Sequence, residues 1–571
     1  MYYFLVKSME IKFNEINSRN ELSDFLKIER KTLTNVLYYK HVENYYHSFV
    51  IPKKSGEPRK INAPTGILKV IQKKLSNRLY AYRDYICEEN GIKLNITHAF
   101  ERKKGIITNA SIHKNKRYII NIDLKDFFDS FHFGRVKGYF LKNEHFKLPL
   151  EVATVLAQLT CYNGKLPQGA PTSPIITNLI CNVMDYKLLA LSKKYHLDYT
   201  RYADDLTFST NDKNIIKEYD KFYNSLNEIV LRNGFEINPN KTRLTFRDSR
   251  QSVTGLIVNK KVNVDRRYYK NVRAMAYSLY TTGKFYIDGE EGSITQLEGK
   301  FSFINEIERY NNRIDGLTQK KFFKLSAKEK ELQKFLFYKY FYANEKPIIV
   351  TEGKTDILYI KSALKSLYKD YPNLIEKNSN DEFKFKVSFF RRSNRIRFFL
   401  NMSQDGADAM KNLYQFFTGK NANGYPNYLT YFNKLSKSQP QKPVILVFDN
   451  EISTGKRPLH IFLDFCGINQ KKINFNNGGY KKLSEEGNLY LATHQLVNNN
   501  EECEIEDLFT KDVLDHKIGN KSFTRKSDFD IEKYYGKDHF SKYIFTNYKD
   551  IDFSNFKPLL NVINEIVENY K

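Results

Sequence analysis

Two adjacent carboxylates, Asp204 and Asp205, stand between Arg201-Tyr202-Ala203 and the apolar Leu206-Thr207-Phe208, and this stretch constrains the fold of the 571-residue chain more than any other. Strand-forming residues on both sides of a short acidic turn predict a β-hairpin whose tip presents both acids. Upstream, Ile119-Ile120-Asn121-Ile122-Asp123-Leu124-Lys125-Asp126-Phe127-Phe128 reads as an aliphatic strand ending in a third carboxylate, with aromatics after it. Carboxylates from separate strands suit nucleotidyl transfer, in which two divalent ions roughly 3.5–4 Å apart bridge an attacking hydroxyl and a leaving phosphate. Mg²⁺ fits such hard oxygen donors, with Asp123 and Asp204 holding the ions and Asp205 supporting them. A lone Asp-Asp pair is an ordinary solvated turn, so the argument turns on the neighbouring segments.

Between the acidic segments lies Leu166-Pro167-Gln168-Gly169-Ala170-Pro171-Thr172-Ser173-Pro174, followed by the apolar Ile175-Ile176-Thr177-Asn178-Leu179-Ile180. This loop opens a helix: Gly169 lets backbone approach a ligand, Thr172 or Ser173 caps the first turn, and Pro174 pre-sets it. In order and spacing, the acidic strand, the Pro-Gln-Gly loop and the Tyr-Ala-Asp-Asp turn resemble the reverse transcriptases. Asn109-Ala110-Ser111-Ile112-His113 and Val253-Thr254-Gly255 narrow the resemblance to the retron reverse transcriptases, which copy part of a dedicated structured RNA into branched, RNA-linked DNA.

The resemblance implies roles at matching positions. Phe128 falls where the family places the aromatic gate against a ribose 2′-hydroxyl, Gln168 lies beside the incoming nucleotide, Arg59 grips its triphosphate, and Lys241 acts near the leaving pyrophosphate. A guanidinium suits a triphosphate because its fork donates two hydrogen bonds. Asn109 and His113 are implied as RNA contacts. The implied partners are a cognate non-coding RNA, its branched DNA product (msDNA), dNTPs and a host RNase H.

The 92 Lys+Arg against 65 Asp+Glu give a net charge of +27, which favours a polyanionic partner and salt-sensitive binding. An AT-rich coding sequence produces a similar Lys-, Asn-, Ile-, Tyr- and Phe-rich composition, so the charge supports the reading without deciding it. More local is Arg266-Arg267-Tyr268-Tyr269-Lys270-Asn271-Val272-Arg273, continuing into Ala274-Met275-Ala276-Tyr277-Ser278-Leu279-Tyr280. It predicts a basic-aromatic helix that either contacts RNA through Arg266, Arg267, Tyr268, Lys270 and Arg273 or packs its aromatics in a thumb core.

Ser326 to Phe341 reads as a helical linker, after which Pro347 introduces a new strand. Ile348-Ile349-Val350-Thr351-Glu352-Gly353-Lys354-Thr355-Asp356 is an aliphatic strand ending in an acid and a glycine. About a hundred residues on, Val444-Ile445-Leu446-Val447-Phe448-Asp449-Asn450-Glu451 is a second strand ending in acids. The pair resembles a Toprim domain, which binds Mg²⁺ through a strand-end glutamate and an Asp-x-Asp for phosphodiester chemistry. Glu352, Asp449 and Glu451 map onto that centre, with Glu451 one methylene longer than the usual second Asp. Glu506 is either a further ligand or a solvated acid. The absence of a cleavage domain or zinc motif favours a nuclease over a topoisomerase or primase, and Gly353-Lys354-Thr355 lacks the glycine spacing of a P-loop.

The expected fold class is therefore a multidomain α/β and α+β chain. Right-hand fingers and palm occupy residues 1–245, thumb and helical linker 246–340, a Toprim α/β domain 341–515 and a C-terminal extension 516–571. Five scattered cysteines without Cys-x-x-Cys fit reduced cytoplasmic thiols, and no segment reads as a membrane span. Met1 and Met9 are both candidate start residues. The expected function is RNA-directed DNA synthesis by a retron enzyme with a fused nuclease-like effector in antiphage defence. The alternatives are an RNA-binding scaffold without synthesis and a group II intron-type maturase.

Overall fold

The computed structural model describes residues 13–52, 58–92, 95–317, 322–402, 407–419, 424–436, 439–453, 455–470, 473–526 and 528–570. Both candidate start residues lie outside these. The chain divides into two compact units, Met1–Asp265 and Arg266–Lys571.

The first unit begins its described part with helical segments. Its strands and helices that matter for the site are β1 (Tyr46–Pro52), β2 (Pro58–Pro64), α1 (Gly66–Glu89), α2 (Ile106–Ile112), β3 (Tyr118–Lys125), α3 (Ser173–Lys194), β4 (Asp198–Tyr202), β5 (Asp205–Thr210), α4 (Ile215–Arg232), β6 (Glu236–Ile237) and β7 (Arg243–Phe246). β1 and β2 pair antiparallel in their own ribbon, while the central sheet runs β4-β5-β3-β6, with β7 also paired to β3. β3 is central and buried on both faces, which explains its continuous aliphatic run. Ile120, Ile122, Leu206 and Phe208 join Leu188 of α3 and Phe222 of α4 in one core.

α3 is long and apolar enough to cross a membrane by length and composition, which the sequence reading did not anticipate; 61% of its apolar window is buried inside the fold, as in a core helix. Pro174 lies in its first turn as expected, but neither expected cap forms. Ser173 Oγ instead donates to the Pro167 carbonyl at 2.8 Å, tying the helix to the preceding loop.

The first unit continues past the expected boundary near residue 245. Asn121 Nδ2 donates to Ser252 O, and the Asn115 amide donates to Val258 O, so the hairpin of Ser252–Val253 and Leu256–Ile257 is bonded to the central sheet. Its tip, Thr254 and Gly255, has φ of +47° and +82°. Thr254 Oγ1 reaches Ile106 O at 3.3 Å, so the two short elements with retron character pack on each other.

The second unit contains α5 (Arg266–Thr282), α6 (Ile294–Ile314), α7 (Ala327–Phe337), β8 (Ile348–Thr351), α8 (Asp356–Ser366), β9 (Ser388–Phe389), β10 (Val444–Phe448), β11 (Asn477–Lys482), β12 (Leu489–Gln495) and α9 (Lys557–Asn569). Its main sheet runs β9-β8-β10-β12-β11; all neighbours are parallel except the edge pair β11 and β12. Parallel strands require helical crossovers, so β8 and β10 are buried runs of Ile, Val and Leu. The segment expected as an extension packs on this sheet: Leu560 and Ile563 of α9 are fully buried in the same core as Ile445 and Ala492.

Candidate active site

The hairpin tip is built by register. Tyr202 pairs with Asp205 across β4 and β5, leaving Ala203 and Asp204 as a two-residue turn, and Asp205 pairs with Asp123 of β3. Directly opposed residues share a face of the sheet, so Asp123 and Asp205 are neighbours by construction. Ala203 has φ +56°, a conformation that costs a non-glycine residue roughly 1 kcal/mol. The surrounding structure holds it there: Arg201 Nη1 donates to Ala203 O at 3.3 Å, and the Leu124 amide donates to Asp204 O at 3.0 Å.

Behind the tip, Arg201 is fully buried and makes a forked pair with Asp185 of α3, Nε to Oδ1 at 2.9 Å and Nη2 to Oδ2 at 2.8 Å. Tyr199 donates to the same carboxylate at 2.9 Å, and Asn178 also contacts Arg201. The motif reading missed this brace, because Arg201 and Asp185 meet only after α3 packs against β4.

A cavity of about 820 Å³ opens in front of the acids, and Arg59, Asp123, Phe128, Gln168, Asp204 and Lys241 line it together. Lys241 Nζ donates to Asp123 Oδ1 at 2.9 Å, and this bond raises the lysine's pKa. The Asn238 amide donates to Asp123 O at 2.8 Å. Gln168 is placed by its carbonyl, which accepts from the Asn62 amide at 2.8 Å. Gly169, at φ +117°, passes so close to β2 that a Cβ there would meet Ile61 Cγ2 at 2.8 Å and Asn62 O at 3.0 Å, so only glycine allows this approach. Phe128 is half-buried, edge-on to Phe127.

Burial raises the pKa of Asp204, with Asp123 adding repulsion. Asp205 is pushed up to about 7 by burial and then by Asp204 and Asp123. Among the described residues no three His, Cys, Asp or Glu side chains are gathered tightly enough to hold a metal as they stand. The donor chemistry nonetheless fits a divalent cation: three oxygen-bearing acids are crowded and partly desolvated, and their mutual repulsion would be relieved by positive charge.

Two predicted RNA contacts are corrected. Asn109 and His113 are fully buried. His113 Nδ1 pairs with Ser209 Oγ at 2.8 Å and Nε2 with Thr200 Oγ1 at 2.7 Å, so it braces β4 and β5 from behind. Burial holds it neutral, with a pKa of about 3. On α5, by contrast, Arg266, Arg267, Lys270 and Arg273 are exposed, Tyr268 is half-buried against Phe303, and Val272, Ala276, Leu279 and Tyr280 are buried. The helix thus has both a basic face and a packed one.

In the second unit, Glu352 follows β8, while Asp449 and Glu451 follow β10, at the carboxyl edge of the parallel sheet where open α/β sheets place ligands. The Ile505 amide donates to Asp449 Oδ1 at 2.9 Å, bringing in Glu506. Glu506 is fully buried, against the solvated alternative, and Lys537 Nζ bonds it at 3.1 Å. Burial first, then neighbouring acids, push Glu352 up to about 8 and Glu451 to about 7; burial likewise pushes Glu506 to about 8. Asp356, not singled out from sequence, accepts from the Gly353 amide at 2.7 Å and is raised to about 6 by burial and Asp449.

The model of the family "Reverse transcriptase (RNA-dependent DNA polymerase)" matches residues 51–271. Retron Ec86 reverse transcriptase of Escherichia coli is 31% identical over 302 residues, covering 52% of this chain and 87% of that protein. Retron Mx162 reverse transcriptase of Myxococcus xanthus is 33% identical over 326 residues, covering 51% of this chain and 64% of that protein. Among solved structures, apo telomerase from Candida tropicalis aligns over 40% of this chain and 56% of that one with 16% identity and a TM-score of 0.27, too low to carry an argument. The chain belongs to the retron reverse transcriptase family.

Proposed function

We propose that the first unit is the RNA-directed DNA polymerase of a retron, copying a cognate non-coding RNA into RNA-linked single-stranded DNA. The observation that carries this is the convergence of Asp123 and Asp204 with Arg59, Phe128, Gln168 and Lys241 on one cavity. In this reading Asp123, Asp204 and Asp205 hold divalent ions, proposed as Mg²⁺, which supply charge neutralisation at the reacting phosphate. Arg59 and Lys241 take the triphosphate by charge-assisted hydrogen bonds, Gln168 flanks the nucleotide, and Phe128 closes the space a 2′-hydroxyl requires. The exposed cations of α5 contact the RNA backbone. A host RNase H trims the template, and the enzyme works in the cytoplasm.

The acids at the carboxyl edge of the second sheet support the reading of that unit as a Toprim-type phosphodiester centre. By family analogy, it is an effector in antiphage defence restrained by the RNA-DNA product. Primer extension on a synthetic RNA template tests the polymerase reading. Extension with dNTPs that requires a divalent ion and disappears in Asp204→Asn supports it; RNA binding without extension supports the scaffold alternative.

A further inference from the structure

A second cavity, of about 560 Å³, lies wholly within the second unit and is lined by Lys339, Tyr340, Asn344, Lys346, Phe389 and Arg391 among others. Its lining mixes the cations Lys346 and Arg391 with the rings of Tyr340 and Phe389; it also holds the acid Glu345, and Lys339 is paired with Glu298. Lys346 and Arg391 are exposed, Tyr340 and Phe389 half-buried. Lys361 stands 4.9 Å from the Phe389 ring centre and 5.6 Å from that of Phe385. Among the described residues, Lys361, Lys365 and Arg391 form no ion pair with a carboxylate, and burial followed by repulsion from Arg391 and Lys365 lowers the pKa of Lys361. Of the cavity's own cations, Arg391 has no ion pair among the described residues and Lys346 Nζ donates to the Phe385 carbonyl at 2.7 Å, and positive charge without a carboxylate beside half-buried rings is an arrangement that backbone phosphates and stacked bases recognise. In the cavity wall, Asn344 is anchored through Nδ2 to Lys346 O and Lys442 O, and its Oδ1 has no hydrogen-bond partner.

The position of this cavity adds a direction. β9 is the edge strand of the sheet and runs parallel to β8, with Ser388 opposite Ile348 and Phe389 opposite Ile349. The chain then continues along β8 through the Phe390 amide, which donates to Ile349 O, to Arg392, which donates to the carbonyls of Thr351 and Glu352. The segment leads from the cavity to Glu352.

We propose that this cavity binds single-stranded nucleic acid, with a base against Tyr340 or Phe389 and phosphates on Lys346 and Arg391, and that the strand follows residues 388–392 toward the acidic centre. Only that last step rests on reading the acidic centre as a phosphodiester site. The probe is a 12-nucleotide single strand carrying 5-iodouracil, made as DNA and as RNA, crosslinked by light to the full chain freed of nucleic acid by high-salt washing. Mass spectrometry then maps the adducts. The expected adducts fall on Tyr340 or Phe389 and drop about tenfold in a Lys346→Ala/Arg391→Ala variant, since removing phosphate contacts weakens binding whatever the sequence. The variant's melting temperature and primer extension stay at wild-type values, because both side chains are exposed and distant in sequence from the polymerase acids. The DNA and RNA arms identify which strand is preferred. Adducts confined to residues 13–282, or adducts on Tyr340 and Phe389 that survive the double substitution, would overturn the proposal. Incubating the same strands with a divalent ion and either the wild type or Glu352→Gln separates the two ideas: adducts on Tyr340 or Phe389 with no cleavage by the wild type leave the binding site standing and remove the phosphodiester reading.

Discussion

The molecule carries two acidic centres on opposite kinds of sheet. In the first unit Asp123 and Asp205 are adjacent because antiparallel register puts them there, and the turn that adds Asp204 faces a large cavity. In the second unit Glu352, Asp449 and Glu451 meet because parallel strands end together at one edge, and a lysine of the same unit, Lys537, reaches Glu504 and Glu506. Both sets join segments far apart in sequence, the first by antiparallel register and the second by the shared carboxyl edge of parallel strands. A cavity of about 820 Å³ fronts the first, with the exposed Lys241 as its counter-charge. In the second, burial pushes Glu352 and Glu506 up to about 8 and Glu451 to about 7.

If the two centres are independent, Asp204→Asn/Asp205→Asn will lower primer extension on the order of a thousandfold or more, matching the several kcal/mol that metal-held charge supplies. Glu352→Gln will leave extension unchanged, and loss of extension in that variant would merge the centres. The brace under the first site gives the next largest effect. Arg201→Met leaves Asp185 buried without its cation and should destabilise the first unit by about 3–5 kcal/mol. Arg201→Met/Asp185→Leu should recover part of this, and a calorimetric melt checks both.

Phe128→Ala should raise incorporation of ribonucleotides relative to deoxynucleotides by roughly tenfold, the scale of a one-group steric filter, read by competing the two triphosphates in one extension reaction. The smallest effect concerns pH. His113 is held at about 3 in the fold against an ordinary 6.5, so the unfolded chain binds the extra proton first as pH falls. Its contribution is complete above pH 6.5 and is lost as pH falls from there toward 3. Asp205, raised to about 7, contributes with the opposite sign over the same range, so the His113 part is read as a difference: between pH 7.5 and pH 5 the wild type should lose several degrees of melting temperature relative to His113→Asn.

Local pattern carried much of this architecture into the sequence. The β3 run, the acidic hairpin, the glycine that passes β2 and the two aliphatic strands of the second sheet are all contiguous signals, written in residues whose period or backbone demand is readable in place. What stayed hidden depends on contacts between distant segments. Asp185 is one polar residue on an apolar helix until Arg201 reaches it. His113 looks like a surface ligand until Thr200 and Ser209 enclose both ring nitrogens. Residues 516–571 look appended until α9 covers the sheet, and Asp356 gains meaning only when the Gly353 turn folds back onto it.

The central claim is that the first unit makes RNA-linked DNA, and the most direct measurement is of the nucleic acid it carries. The protein is purified from cells bearing its native upstream DNA, and its bound nucleic acid is treated separately with RNase and DNase. The same is done for Asp204→Asn/Asp205→Asn. The account predicts DNA joined to RNA with the wild type and RNA alone with the variant. With the native RNA confirmed as expressed, RNA alone in both samples would contradict it.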